Sequence, residues 1–249
     1  MKITVVTVCY NAAQTIADTL QSVAAQRGVE VEHVVIDGGS TDDTLAIVSR
    51  FPHVATVVSE PDKGIYDAMN KGLARATGDV IGFLNADDWF CRDDALQLVA
   101  THLADAEAVV GDLVIVDTDN TKRVRRFYSS RGFRPWMLRM GHMPPHPTLY
   151  VRREVFDELG GFDASYRIAG DFDFTVRLLL QRRATRWRRV PHTLVAFRNG
   201  GASTRNLSAK VRMNREILHS LRAKGLSLTA LALYARYPFK ALQLIARPR

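Results

Sequence analysis

The chain predicts an α/β fold in which helices flank a mostly parallel central sheet. Three observations carry that prediction. Strand-like and helix-like segments alternate through the first half, and the apolar run Val80-Ile81-Gly82-Phe83-Leu84 leads into two adjacent carboxylates, Asp87 and Asp88. The 249 residues, 47% of them hydrophobic, suit one large α/β domain or a domain with an appendage. Strands that alternate with helices pair in parallel through right-handed crossovers.

Taken in order, Ile3 to Val8 is a β-branched strand, and Asn11 is placed to cap a helix over Ala12 to Gln26 with Ile16, Leu20 and Val23 on one face. Val31 to Ile36 is the second strand; Asp37-Gly38-Gly39-Ser40 turns the chain, and Thr41-Asp42-Asp43 opens a helix ending near Phe51-Pro52. Val54 to Ser59 is the third strand, followed by a Glu60-Pro61-Asp62-Lys63-Gly64 loop, a helix from Ile65 to Ala76, and the strand that ends at the acid pair. Ala108 to Val116, Arg123 to Tyr128 and Thr148 to Val151 read as further strands, Arg153 to Leu159 and Asp171 to Leu180 as helices. The basic segment from Lys122 to Arg139 and the Pro-rich turn Met143 to Pro147 suggest a lid or an acceptor-binding region.

Charge divides the chain in two. Residues 1–121 hold 7 Lys+Arg and 19 Asp+Glu, a net of −12, and residues 122–249 hold 27 and 7, a net of +20, within a total of +8. The acidic half attracts a metal and repels nucleic acid, while the basic half favours anionic surfaces, so the polarity argues against simple DNA binding. Cys9 and Cys91 are the only cysteines and lack metal-ligand spacing, which excludes a disulfide framework and a zinc site. Residues 1–10 read as a strand without a signal-peptide pattern, so a cytoplasmic location is expected.

In an open α/β sheet ligands sit beyond the carboxyl ends of the strands, where Asp87 and Asp88 fall. Two acids there suit a divalent cation, Mn2+ or Mg2+, whose shell is completed by water and substrate phosphates. An acid pair is also an ordinary feature of exposed loops.

Four segments in order resemble the signatures of family-2 inverting glycosyltransferases with the GT-A fold, a Rossmann-like sheet: Thr7-Val8-Cys9-Tyr10-Asn11, Ile36 to Asp42, Asn85-Ala86-Asp87-Asp88, and Gly160-Gly161-Phe162-Asp163 with Gly170-Asp171. The stretch Ser59 to Gly72 is similar to the subgroup found in exopolysaccharide clusters, including colanic-acid-type enzymes. The motifs span roughly residues 3 to 203. The resulting division is a GT-A domain over 1–204, with a nucleotide-sugar-binding half over 1–121 and an acceptor-binding half over 122–204, followed by a basic amphipathic helical tail over 205–249.

The resemblance implies a nucleotide diphosphate sugar donor whose leaving diphosphate is stabilised by a bound cation. It makes Asp88 the metal ligand and gives Asp87 to the ribose or, through water, to the metal. Asn85 departs from the commoner aspartate and leaves the metal site one carboxylate poorer. Thr7, Tyr10 and Asn11 would line the first nucleotide loop, with Asp37 accepting from base or ribose; Asp37 to Ser40 is equally readable as a tight turn before a helix cap. Many relatives carry a second aspartate where this chain has Gly38. Lys63 is placed to meet a phosphate and Asp62 a base or sugar hydroxyl, or both stay in solvent. Asp67 and Asn70, three apart, share a helix face that either points at the cleft or is simply polar.

Inversion requires a base for the acceptor hydroxyl, and the resemblance assigns it to Asp171, with Asp173 as the neighbouring competitor and helix capping as the structural alternative. His146 is a candidate acceptor contact, His192 a candidate contact to diphosphate or metal, and Gly200-Gly201-Ala202-Ser203 a loop to close over the donor.

From Arg205 to Arg249 there are 10 Lys+Arg and 1 Asp+Glu, and Arg236, Lys240, Gln243 and Arg247 share one helical face with Phe239, Leu242 and Ile245 elsewhere. That pattern suits peripheral attachment to an anionic membrane on its inner face, near a lipid-linked acceptor, or packing on protein; Arg236, Pro238 and Lys240 exclude a span. The sequence thus points to a metal-dependent glycosyltransferase of hexosyltransferase type in polysaccharide or glycolipid biosynthesis. Its rivals are a non-catalytic nucleotide-sugar or anion-binding scaffold and a nucleotidyltransferase.

Overall fold

The computed structural model describes residues 1–182, 185–200 and 207–226. Its nine strands are β1 Lys2–Cys9, β2 Glu30–Asp37, β3 Val54–Ser59, β4 Val80–Phe83, β5 Trp89–Phe90, β6 Ala108–Val116, β7 Val124–Tyr128, β8 Leu149–Arg152 and β9 Trp187–Arg198. The helices are α1 Ile16–Ala24, α2 Thr44–Val48, α3 Ile65–Leu73, α4 Ala95–His102, α5 Arg153–Leu159, α6 Gly170–Val176 and α7 Leu207–Ala223.

All nine strands join one sheet in the order β3-β2-β1-β4-β8-β6-β9-β5, with β7 beside the later part of β6. β1 runs parallel to β2 from Lys2↔Glu30 to Cys9↔Asp37 and to β4 from Ile3↔Val80 to Val6↔Phe83. β8 is antiparallel to β4 and β6, and β9 returns parallel to β6. The α/β class expected from the sequence is the class observed. In β1 alternate side chains point to opposite faces: Val6 and Val8 join one core with Phe83, Phe156, Phe162 and Phe174, while Ile3 and Val5 join a second with Leu96, Val99, Leu103 and Tyr150. Burial on both faces is why the strand reads as a continuous apolar run rather than an alternating one.

Two helices begin later than their periodicity suggests, for one shared reason. The amides of Asn11, Ala12 and Ala13 donate to Ser40 Oγ, Thr44 Oγ1 and Asp42 Oδ2, and the Thr41 amide donates to Asn11 Oδ1. The loops after β1 and β2 therefore bind each other instead of starting helices, and Asn11 takes a left-handed φ of 48°. α6 is shorter than the apolar pattern because Arg177–Gln181 continues as one π turn.

α7 holds part of the expected tail, and Ile217 and Leu221 bury against Phe133, Leu138, Phe172 and Val176. The described start of the tail thus packs on the sheet domain. The face formed by Arg236, Lys240, Gln243 and Arg247, together with Gly201, Ala202 and Ser203 of the expected closing loop, lies outside the described residues. Among the described residues no helix is long and apolar enough to cross a membrane.

Candidate active site

β1, β2 and β4 end on one edge of the sheet, and a cavity of about 560 Å³ opens there. Its volume falls within the ordinary range for small-molecule sites. Tyr10 and Asn11 after β1, Asn85 and Asp87 after β4, His146, and Asp171 at the start of α6 all line it. The structure therefore brings Tyr10, Asn11, Asp87, His146 and Asp171 together.

The remaining candidates do not line this cavity. Thr7 is fully buried and hydrogen-bonds His33 Nε2 at 2.9 Å. Asp37 is consumed by its own turn, with Oδ2 accepting from the Gly39 amide at 3.1 Å, the Ser40 amide at 2.9 Å and Ser59 Oγ at 2.7 Å. Burial opposes its charge, but these bonds and the Ser40 hydroxyl outweigh it and hold the carboxyl below the usual range. Asp62 accepts from the Gly64 amide at 2.8 Å, and a side chain on residue 38 would collide with its Oδ2. Gly38 and Asp62 thus occupy one space, beside the Tyr10 ring.

Lys63 is exposed, with its amide on Asp67 Oδ2 at 3.0 Å. Asp67 also pairs with Lys71 at 3.7 Å. Asn70 pins Phe162 by two bonds, Nδ2 to the Phe162 carbonyl at 2.7 Å and the Phe162 amide to Oδ1 at 2.8 Å. α3 is rotated so that Ile65, Tyr66 and Met69, not Asp67 and Asn70, face the cavity. His192 lies away from it, 3.4 Å from Arg92.

Adjacent Asp87 and Asp88 have opposite environments. Asp87 borders the cavity, and burial raises its pKa against the nearby Arg198. Asp88 lies fully buried behind the wall, with Oδ1 accepting the Arg198 amide at 3.1 Å and Oδ2 meeting Asn85 Nδ2 at 3.4 Å. Burial, with Asp87 adding to it, pushes Asp88 well above the carboxylate range. Among the described residues no group of three or more His, Cys, Asp or Glu converges as a preformed cation cage. The wall does fit a hard cation that takes most of its ligands from substrate and water: Asp87 offers a carboxylate, and Asn85 Oδ1 is buried with no hydrogen-bond partner among the described residues.

Asp171, also on the cavity wall, accepts the Phe172 amide at its Oδ1 at 2.8 Å, and the same oxygen lies 3.1 Å from Tyr66 Oη. The single Tyr66 hydroxyl proton is shared between that oxygen and the Ile168 carbonyl, the nearer acceptor at 2.7 Å. Asp173, the competitor, points away and binds Ser220 Oγ at 2.8 Å, Arg177 at 3.1 Å and Lys224. His146 packs against the paired rings of Phe83 and Phe162, with centroids 6.1 and 5.8 Å away. Burial lowers its pKa, which the Asp171 charge opposes.

Sequence reasoning missed four residues at this site. Tyr66 lay inside a quoted motif without a role. Arg167 and Arg198 put two cations on the cavity wall; Arg198 also pairs with Asp18 at 2.8 Å and lies 5.0 Å from the Trp89 ring centroid. Glu216 on α7 accepts the amides of Arg167, Ile168 and Ala169 at 3.2, 2.9 and 2.9 Å, ordering the segment that leads into Asp171. Its signal was present, as the single acid among the basic residues after Arg205.

A cavity at the carboxyl edge of such a sheet, faced by Asp87 from the turn after β4 and Asp171 from the first turn of α6, is the arrangement expected of a transferase of the GT-A type. Residues 4–160 match the model of glycosyl transferase family 2, and the chain belongs to that family. It is 35% identical over 184 residues to an uncharacterized glycosyltransferase of Mycobacterium tuberculosis, covering 72% of this chain and 69% of that one. It is 33% identical over 174 residues to a PGL/p-HBAD biosynthesis glycosyltransferase of Mycobacterium bovis, covering 67% and 65%. Among solved structures, TarS 1-349 of S. aureus in complex with UDP-GlcNAc superposes with a TM-score of 0.69 at 19% identity, covering 97% of this chain and 74% of that chain. The mannosyltransferase PcManGT from Pyrobaculum calidifontis, in complex with GDP-Man and Mn2+, gives 0.65 at 22%, covering 97% and 67%. These two likenesses concern the fold.

Proposed function

We propose that this glycosyltransferase moves a sugar from a nucleotide diphosphate sugar to a hydroxyl of a glycan or lipid-linked acceptor, with inversion at the anomeric carbon. The observation that carries this reading is that Asp87 and Asp171 line the same cavity of about 560 Å³ from different loops. Tyr10 and Asn11 bound the nucleotide end, Arg167 and Arg198 supply positive charge for the diphosphate, and Asp171 takes the proton of the attacking hydroxyl. Tyr66 fixes Asp171 Oδ1, and His146 borders the acceptor side. A divalent cation held by Asp87 with Asn85 Oδ1, and by Asp88 once it yields its bond to Arg198, would supply Lewis acid stabilisation of the departing diphosphate. The donor complexes of TarS and PcManGT support the nucleotide-sugar reading, and the Mn2+ of PcManGT supports the cation.

The mycobacterial relative named for PGL/p-HBAD biosynthesis favours a glycolipid acceptor over the exopolysaccharide subgroup that residues 59–72 resemble. The ten basic residues after position 204 support attachment to an anionic membrane surface. A panel of UDP- and GDP-sugars assayed with and without Mn2+ tests the reading. Expected is cation-dependent release of nucleoside diphosphate, falling about 10²- to 10⁴-fold in Asp171→Asn. Release of pyrophosphate would reveal a nucleotidyltransferase, and turnover indifferent to Asp171→Asn would remove the base.

A further inference from the structure

A second cavity, of about 530 Å³, adjoins the first and shares His146, Ile168, Asp171 and Asn199 with it. Its walls are mainly apolar, with Tyr128, Met143, Pro144, Phe172, Met213 and Ile217 among them. Two cations also line it, Arg126 from β7 and Lys210 from α7.

Arg126 is the unusual feature. Several arginines of the basic half sit on carboxylates, Arg125 on Asp117 at 2.7 Å, Arg182 on Glu158 at 2.7 Å and Arg189 on Asp112 at 2.6 Å, and Arg152 and Arg167 donate to backbone carbonyls. Among the described residues Arg126 has no such ion pair, and its Nε is buried without a hydrogen-bond acceptor. Its guanidinium carbon lies 5.3 Å from the Tyr128 ring centroid, and burial lowers its pKa. A partly buried cation without a counter-ion is costly, and a cavity with mainly apolar walls that carries Arg126 and Lys210 favours a ligand that is apolar except for one negative group.

We propose that this cavity binds the acceptor as an anionic amphiphile: a hydrocarbon or aromatic portion lies along Met143, Pro144 and Met213, and one phosphate or carboxylate meets Arg126 with Lys210 nearby. The ligand's far hydroxyl then reaches Asp171, so the inference rests on Asp171 facing the acceptor, and it adds the chemical class that Asp171 serves.

Calorimetric titration of the full chain with n-decyl phosphate, 4-decyloxybenzoate and the neutral n-decyl glucoside, each below its micellar concentration, tests it. At least one anionic probe is expected to bind about tenfold or more tightly than the glucoside, and Arg126→Gln is expected to erase that preference while Arg126→Lys retains part of it. Preference for the phosphate points to a lipid phosphate, and preference for the benzoate to an aromatic acid; either supports the site. Equal binding of the neutral probe, or undiminished anion binding by an Arg126→Gln protein with unchanged melting temperature, overturns it. The wild-type comparison of charged and neutral probes stands alone should the variant not fold. Because the titration needs no donor, failure to release nucleoside diphosphate would count against the glycosyltransferase mechanism and not against this site.

Discussion

Replacing Glu216 with alanine removes one carboxylate from three backbone donors. The Arg167 residue is exposed, so water replaces its lost acceptor at little cost; Ile168 is half-buried, and Ala169 is 1% exposed. A buried amide stripped of its partner costs about 1–3 kcal/mol, and a half-buried one less, so Glu216→Ala should cost about 2–4 kcal/mol. For a chain of this size that is a melting-temperature loss of roughly 5–15 °C. Glu216→Gln keeps one oxygen able to serve Ile168 and Ala169 and should lose about half as much. The segment holds the Ile168 carbonyl that Tyr66 binds and leads into Asp171, so turnover should fall with stability, about tenfold for alanine, a difference of about 1.4 kcal/mol. Differential scanning calorimetry and kcat at saturating donor measure both. If Glu216→Ala melts within about 1 °C of wild type, the amides do not depend on this carboxylate and the reasoning fails.

Two further outcomes are expected. His33 is buried against Thr7 and His53, which pushes its pKa from the ordinary 6.5 to about 3. The unfolded chain takes up this proton below 6.5 and the folded one does not until about 3, so stability is full above 6.5 and lost as pH falls through that window; urea melts at pH 7 and 5 should show about 2 kcal/mol more loss for wild type than for His33→Asn, and equal losses would refute it. Gly170→Ala would place a Cβ 2.8 Å from the Tyr66 ring. Overpacking of about 1–3 kcal/mol then outweighs a helical gain of at most about 1 kcal/mol, so melting temperature and kcat should both fall, whereas a more stable variant of unchanged kcat would contradict the packing.

The first half was legible because its signals are local. Val54 to Ser59 and Ala108 to Val116 have their expected boundaries: β3 alternates half-buried with exposed residues, and β6 is buried along nearly its whole length. α4 was not read from the sequence, and β9 was missed because its five-residue start Trp187-Arg188-Arg189-Val190-Pro191 contains two arginines and a proline, the signature of a loop or edge. Its place in the sheet comes from pairing with β6, more than 70 residues earlier, which no local pattern encodes. Among site residues, Tyr10, Asn11, Asp87, His146 and Asp171 were legible as chemistry at the ends of elements. The rotation of α3 that exchanges Asp67 and Asn70 for Tyr66 and Met69 was not, because residues one position apart on a helix differ by about 100° and the apolar pattern tolerates either face.

The acid pair shows how residue type can be read where direction cannot. The two aspartates sit in a tight turn closed by the Asp88 amide on the Asn85 carbonyl at 3.1 Å, and in that turn Asp87 borders the cavity while Asp88 is buried in the protein. Sequence similarity favours Asp88 as the cation ligand; the fold turns Asp87 outward and gives Asp88 to the Arg198 amide at 3.1 Å. That bond ties the end of β9 to the loop after β4, and the same Arg198 places its guanidinium beside the Asp87 carbonyl and on Asp18. If a cation were to draw Asp88 Oδ1 away from the Arg198 amide, Arg198 and Asn199 on the cavity wall would shift with it. Under the proposed function, cation binding and the position of Arg198 would then be coupled through one hydrogen bond. In this family member the carboxylate that reads as a ligand also serves as the latch of the wall behind it.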